Sequence, residues 1–397
     1  MKRRMRLSAL LCVLVLTGAC LIMAGCGQAH AVNFEYRKNP NKADQELIIT
    51  GYIGVSKKAA IPAKISGKRV SAIGEQAFAG KGLTSITIPR SIAVIGARAF
   101  ADNKLPSVTI PKGVIIIGEQ AFSGNQLTTV TIPNSTAQIG NEAFKSNQLT
   151  SVTIGNNVAE IGERAFVLNQ LTSVTIGNNV AEIGEGAFVL NQLTNVTIPN
   201  SVTTIGRWAF ADNQLTSITI GNSVTKIGEG AFALNQLTSV AIPDSVTAID
   251  GGAFQDNQLT DVIIPDSVIE IGAEAFTNNQ LTSITIGNNV ITIGREAFAN
   301  NQLTSVTIPD SVTVISRGAF ANNQLTSVTI GNSVTEIGQE AFVGSQLTSI
   351  TIGARVAFTG SWGSTSFDNR FDNFYNNNGK GAGTYTYQDG QWTTGNN

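Results

Sequence analysis

Apolar and polar residues follow one fixed pattern along most of the chain. In the stretch LTSVTIGNNVAEIGEGAF, which begins at Leu171, apolar side chains alternate with Ser and Thr and then stop at Gly177. A period of two predicts a short strand with one buried face. A second extended segment follows. Gly184, which permits a left-handed backbone angle, should then turn the chain back through a short helical turn. One unit is expected to bury seven side chains, Leu171, Val174, Ile176, Val180, Ile183, Ala187 and Phe188.

The pattern repeats every 22 residues. The copies that begin at Leu149 and Leu171 differ only where Arg164 becomes Gly186. A unit this short cannot bury its own apolar face, so successive copies must stack around one long core. We therefore predict a β-rich solenoid of thirteen units. Each unit is marked by the Phe of an Ala-Phe pair, at Phe78, Phe100, Phe122, Phe144, Phe166, Phe188, Phe210, Phe232, Phe254, Phe276, Phe298, Phe320 and Phe342.

Two other positions in the unit carry a recurrent residue. The residue that ends the first strand is Pro in seven units and Gly in the other six. Asn stands two places before the opening Leu in eleven of thirteen units, from Asn103 to Asn323. Buried polar side chains almost always have hydrogen-bond partners, so these Asn residues are expected to form a buried ladder that satisfies backbone groups of the loops.

An open solenoid needs caps, and the period fails at both ends. Residues 46–82 are expected to form an N-terminal cap with an irregular first coil, 83–353 the solenoid and 354–397 a C-terminal cap. That last segment is dense in aromatic residues, including Trp362, Tyr385 and Trp392, and Asp389-Gly390 indicates a hairpin. The aromatic rings should cover the last coil. A site that stacks on sugar rings is the alternative.

The N-terminus has the pattern of an export signal. A basic start precedes an apolar run, and small residues precede Cys26. Residues 1–25 therefore resemble a lipoprotein signal peptide, with Cys26 lipidated and 26–45 serving as a tether. Cleavage at Ala31 with secretion, or an uncleaved membrane anchor, are the alternatives. All three place the chain outside the cytoplasm.

Composition excludes several function classes. Without the four basic residues of the leader, 22 basic side chains face 27 acidic ones, so we expect no nucleic-acid partner. Both remaining cysteines lie in the leader's apolar run, and His30 is the single histidine. Catalytic triads, histidine-rich metal sites and phosphate-binding loops are missing from the sequence. We therefore expect neither an enzyme nor a cofactor or metal site.

The repeated unit resembles a known family. The pattern L-x-x-V-x-I followed by I-G-x-x-A-F, as in LTSVTIPDSVTVISRGAF from Leu303 to Phe320, is similar to the leucine-rich repeats of BspA-like proteins. The resemblance covers about residues 61–352, although the unit here is one residue shorter than is common in that class. It implies a leucine-rich-repeat solenoid on a bacterial surface, with an adhesive or matrix-binding role.

The outward positions of the first strand decide among the possible functions. One outward position is Thr in eleven of thirteen units, with Ala241 and Ile263 as the exceptions, and charges gather on the turns instead. An adhesin that engages host or bacterial surface and matrix proteins is favoured. A structural spacer of the envelope is the first alternative, and Thr rows that bind ice or a crystalline polysaccharide are the second. The candidate contacts are Thr153, Thr175, Thr197, Thr219, Thr285, Thr307 and Thr329, together with Trp362, Tyr385 and Trp392.

Overall fold

The computed structural model describes residues 33–40, 46–359 and 365–395. It shows the predicted β-solenoid, in which each coil contributes strands to two rows that run along the stack. Cys26 and Trp362 lie outside the described residues.

The first row consists of the short strands that follow each opening Leu. Parallel pairing sets equivalent residues of neighbouring coils side by side, as for Val152 and Val174. Eleven of the thirteen units carry this strand, and those that begin at Leu105 and Leu237 do not. Its members are Ser85–Thr87, Thr129–Thr131, Ser151–Thr153, Ser173–Thr175, Asn195–Thr197, Ser217–Thr219, Asp261–Ile263, Ser283–Thr285, Ser305–Ile308, Ser327–Ile330 and Ser349–Ile352.

The second row is continuous. Its thirteen two-residue strands join four strands of the N-terminal cap in one sheet of 17 strands. In most of these strands the inward residue is a buried Ile, as at Ile183. The members are Val94–Ile95, Ile116–Ile117, Gln138–Ile139, Glu160–Ile161, Glu182–Ile183, Thr204–Ile205, Lys226–Ile227, Ala248–Ile249, Glu270–Ile271, Thr292–Ile293, Val314–Ile315, Glu336–Ile337 and Ala357–Phe358.

The N-terminal cap begins earlier than the sequence predicts. Strand Phe34–Lys38 pairs antiparallel with Glu46–Tyr52, so the described part of the predicted tether is folded. Phe34 is buried against Tyr52, and this contact explains why the segment is held. Further cap strands are Lys58–Ala60, Lys64–Ile65 and Lys68–Ile73, of which the first pairs with Ser85–Thr87 and the last with Glu46–Tyr52.

The C-terminal cap consists of a short helix, Phe371–Asn377, and the predicted hairpin. Strands Gly383–Gln388 and Gln391–Thr394 pair antiparallel, and the first also pairs with Ser349–Ile352. Asp389 and Gly390 have φ of 52° and 81°, as a two-residue hairpin turn requires. The hairpin therefore closes the free edge of the first row.

A column of stacked Phe rings fills the core. The rings of Phe166 and Phe188 lie 5.3 Å apart and are nearly parallel, and the same contact recurs from Phe78 to Phe342. Both caps extend the column, with Tyr52 at one end and Phe367 at the other. Six of the seven side chains predicted to be buried in the coil from Leu171 are buried, and Val174 is only partly so.

The Asn ladder is present as predicted. Oδ1 of Asn191 accepts from the Leu171 N–H at 3.0 Å, and Nδ2 donates to the carbonyls of Phe166 and Phe188 at 3.0 and 3.1 Å. The same bonds recur in the eleven units from Asn103 to Asn323. Every ladder Asn is buried and ties its own coil to the one before it.

The short helical turn that the sequence predicts after Gly184 does not form. The segment from Gly184 to Phe188 is a run of tight turns, with Ala187 N–H bonded to the Gly184 carbonyl at 3.2 Å. The left-handed residue is Gly186, not Gly184, and other units hold Arg, Glu, Gln or Trp in the same conformation. Gly184 is needed for a different reason, because a Cβ there would lie 2.6 Å from the Ile161 carbonyl oxygen.

Candidate binding surface

All seven candidate threonines are exposed on first-row strands. We call them the threonine row: Thr153, Thr175, Thr197, Thr219, Thr285, Thr307 and Thr329. Parallel register sets Thr153 beside Thr175, and Thr307 beside Thr329. The outward position of the first row is therefore a nearly uncharged line of hydroxyl and methyl groups.

The residue that ends each first-row strand, Gly or Pro, decides whether that strand pairs with the strand of the preceding coil. Six of the twelve junctions between units have paired first-row strands, and in all six the second unit has Gly at the stop position. In the six unpaired junctions the second unit has Pro. The units that begin at Leu105 and Leu237 are Pro units followed by Pro units, so both of their edges are unpaired and no strand forms.

Steric contact explains this division. A Cβ at Gly155 would lie 2.5 Å from the Pro133 carbonyl oxygen, and one at Gly177 would lie 2.3 Å from the Gly155 oxygen. Gly therefore lets two coils approach closely enough to pair, whereas Pro brings a Cβ and a ring into the same space. Within the cap, Lys58–Ala60 does pair with Ser85–Thr87 although Pro89 follows.

Five of the six unpaired junctions expose apolar surface. The central apolar residue of the strand is buried where the next coil is paired, as at Val152, and partly exposed before most Pro units. Five side chains form these breaks in the threonine row: Val108, Val174, Ile218, Val240 and Ile284. The breaks were not predicted from the sequence, although the order of Pro and Gly along the chain was the signal for them.

Most charges lie on the turns and on the second-row strands, and Asp261 is the exception in the first row. Arg164 pairs with Glu185 of the next coil at 2.9 Å, and Arg317 pairs with Glu340 at 3.0 Å. Exposed pairs of this kind each add little stability. Among the described residues, no group of three His, Cys, Asp or Glu side chains is placed to hold a metal ion.

The C-terminal aromatic residues pack inward. Tyr385 and Trp392 are buried, and both rings contact Phe371 edge-on. Trp392 also donates a hydrogen bond to the Asn369 carbonyl at 3.1 Å. Their ring faces are therefore used by the cap, which favours the interpretation that they cover the last coil over a sugar-stacking role.

Two polar groups are buried under the same cap. Burial raises the pKa of the Asp372 carboxyl, against the opposing effect of the 2.6 Å bond that it accepts from the Ser366 N–H. Burial also raises the pKa of Tyr375, whose hydroxyl donates to the Gly353 carbonyl at 2.6 Å. Both shifts arise where the helix packs on the last coil, so they report the packing of the cap.

Helices of membrane-spanning length and hydropathy are absent from residues 33–40, 46–359 and 365–395.

Comparison with known proteins identifies the repeat. A family model for the BspA-type leucine-rich-repeat region, in six copies, matches residues 71–191, 168–280 and 248–370. A leucine-rich cell surface protein of Faecalibacterium prausnitzii is 30% identical, covers 83% of this chain and 94% of its own, and superposes with a TM-score of 0.51. A leucine-rich-repeat protein of Bacteroides ovatus is 23% identical over 83% of this chain and 98% of its own, with a TM-score of 0.58.

A search of curated proteins finds no match. The family model spans more than half of the chain, and the Faecalibacterium protein agrees with it in both sequence and fold. The chain belongs to the BspA-type leucine-rich-repeat family.

Proposed function

We propose that this chain is a non-enzymatic binding protein of the bacterial cell surface, an adhesin that engages matrix proteins or surface proteins of other cells. The contact surface is the threonine row together with the apolar side chains at its breaks. The observation that carries the proposal is an exposed and nearly uncharged face that extends along the whole solenoid. The cell-surface relative in Faecalibacterium prausnitzii supports the location.

The breaks favour a protein ligand. The side chains of Ile218 and Ile284 are partly exposed and are flanked by hydroxyl groups. Partly exposed apolar side chains of this kind recur at intervals along the face. Protein interfaces combine such apolar points with polar groups that hydrogen-bond around them. Many weak contacts along one face then add up through avidity.

Two other functions use the same face. An envelope spacer would need the length of the solenoid and no ligand. Binding to ice or to a crystalline polysaccharide would need a regular lattice of threonines, and six unpaired junctions interrupt that regularity. The adhesin is therefore the proposal that the surface supports best, and thermal hysteresis would reveal an ice-binding protein.

For export, we propose a lipid anchor at Cys26, with secretion after cleavage at Ala31 as the alternative. The support is the basic and apolar leader that precedes Cys26. Metabolic labelling with palmitate should mark the wild-type chain and should not mark the Cys26→Ser variant. Absence of label from both chains would favour cleavage at Ala31.

The contact surface is tested by placing charge on it. Thr175→Lys combined with Thr197→Lys puts two cations on adjacent coils whose strands are unpaired, so the two side chains are not directly opposed across a ladder. Binding to immobilised matrix proteins should weaken about tenfold, because desolvating unpaired charges in an interface is costly. The measurement compares the variants at equal concentration of folded protein.

A matched control separates position from charge. Gln192→Lys with Gln214→Lys adds the same two charges to exposed positions of adjacent coils outside the threonine row. This pair should bind as the wild type does. Equal weakening by both pairs would show that net charge matters and the threonine row does not, which would contradict the proposal.

A further inference from the structure

The repeat departs most from its own pattern at one place on the turn side. Trp208 stands where the equivalent position of other units is Gln, Arg, Glu or Gly. Two coils later, Asp250 stands at the position of Gly184, where most units have Gly. Gly251 and Gly252 follow it. Trp208 and Gly252 occupy the variable outward position of the turn, whereas Asp250 occupies the position where Gly184 and its equivalents lie against the preceding coil. These departures therefore change both the surface and the local stacking of the coils.

These departures open a cavity of about 930 Å³ that spans several coils, from Val189 to Glu274. The volume lies in the range typical of ligand sites. Trp208 lies across Gly230 of the next coil, where a Cβ would come within 2.2 Å of the indole ring. Small residues such as Ala248 and Gly252 leave the floor open. No member of the threonine row lines the cavity, so it is a separate surface from the proposed adhesive face.

The lining combines apolar and acidic groups. Leu190 and Leu234 line it beside Trp208, and Leu234 is 53% exposed. Both leucines hold a left-handed backbone conformation, with φ of 58° and 56°, where most units place Asp, Asn, Ser or Gly. Leu168, outside the lining, has the same conformation and is also exposed, so the conformation itself does not mark the cavity. What Leu190 and Leu234 supply is exposed apolar surface beside Trp208 that is available to a partner.

The charge of the lining has one sign. Among the described residues, six carboxylates line the cavity and no basic residue does: Asp212, Glu229, Asp250, Asp256, Glu270 and Glu274. Three of them are neutralised by basic residues from outside the lining, in the pairs Arg207–Glu229, Lys226–Asp250 and Arg295–Glu274. The other three have no ion pair among the described residues, although Asp256 accepts a hydrogen bond from Asn278 at 2.7 Å. The site is therefore complementary to positive charge.

One contact within the protein shows how this lining holds a cation. The guanidinium of Arg207 lies 4.1 Å from the centroid of the Trp208 ring and donates to Glu229 at 2.8 Å. An aromatic face and a carboxylate together form a strong site for an Arg or Lys head group. The remaining carboxylates are spread along the cavity and are not gathered around one point. Several separate cations fit them better than one metal ion does.

We propose that this turn-side cavity binds a basic segment of a partner protein, an extended peptide in which Lys or Arg alternates with apolar side chains. The apolar side chains occupy the floor between Leu190, Leu234 and Trp208. The cations pair with Asp212, Asp256 and Glu270. This is a second binding surface, independent of the threonine row.

The test measures binding of a labelled peptide, acetyl-Lys-Leu-Arg-Leu-Lys-Leu-Arg-amide, to the chain by fluorescence anisotropy. The matched pair of variants is Gly252→Gln, which adds a side chain to the lining of the cavity, and Gly186→Gln, which lies outside that lining. Gln120 has the equivalent position in another unit with φ of 51°, so the backbone accepts this side chain. A third variant, Asp212→Asn with Glu270→Gln, removes two exposed charges and leaves the cavity open.

The peptide should bind the wild type and Gly186→Gln equally, and at least tenfold more weakly to Gly252→Gln and to the charge variant. Binding should also weaken as salt is raised. Equal affinity of the two Gln variants, or equal binding of a peptide with Glu in place of Lys and Arg, would overturn the proposal. A neutral N-acetylglucosamine oligomer that binds with the same dependence on Gly252→Gln would identify a carbohydrate site and would overturn it as well.

Discussion

Asn191→Ala is expected to lower the free energy of unfolding by about 3 kcal/mol, as estimated for a buried N–H without a partner together with lost hydrogen bonds. Oδ1 of Asn191 is the acceptor for the N–H of the fully buried Leu171. In the variant, the Phe166 and Phe188 carbonyls each keep one hydrogen bond, from Asn169 and Asn213. The Leu171 N–H loses its acceptor, so it accounts for most of the lost stability. Native-state hydrogen exchange should show weaker protection of the backbone amides in the coils near residue 191.

A neighbouring residue provides the control for Asn191. Gln192 follows it directly and is exposed. Gln192→Ala should change the free energy of unfolding by less than about 0.5 kcal/mol. If both variants have equal stability, the ladder is not a source of stability in this solenoid.

Phe188→Ala should cost about 3 to 5 kcal/mol, the usual penalty for removing a buried aromatic ring. The ring lies 5.3 Å from Phe166 and 5.2 Å from Phe210, so its loss leaves a cavity that two neighbours border. Because each coil contacts only its neighbours, limited proteolysis should cut near residue 188 while both caps remain folded. Simultaneous loss of all coils would contradict this one-dimensional organisation.

The sequence predicts the core of this protein well because the period itself is the signal. A repeat of 22 residues, set by Phe188 and its equivalents, requires stacking, and the recurrence of Asn191 at a fixed offset from Leu requires a repeated polar contact. Both predictions depend on residue type and spacing alone. They are confirmed by the ring column and by the hydrogen-bonded ladder.

What the sequence did not predict depends on contacts between coils. The pairing of first-row strands follows the clearance between Gly155 or its equivalents and the previous coil, so the order of Gly and Pro in the sequence could be interpreted only once the coils were stacked. The strand Phe34–Lys38 was not predicted because it lies outside the repeat, where the period gives no signal. The turn-side cavity is formed by residues of several coils, so no single unit contains it.

The central functional claim is that binding spreads along the solenoid, and changing the number of coils tests it most directly. Deleting Leu149 to Gln170, or inserting one or two further copies of that unit, keeps every seam nearly the same, because the next unit differs only where Arg164 becomes Gly186. Affinity for immobilised matrix protein should rise steadily from the shortest chain to the longest, since each coil adds threonine row. Equal affinity across the series, in chains with matched circular dichroism, would show that the ligand binds one local site and would contradict the claim.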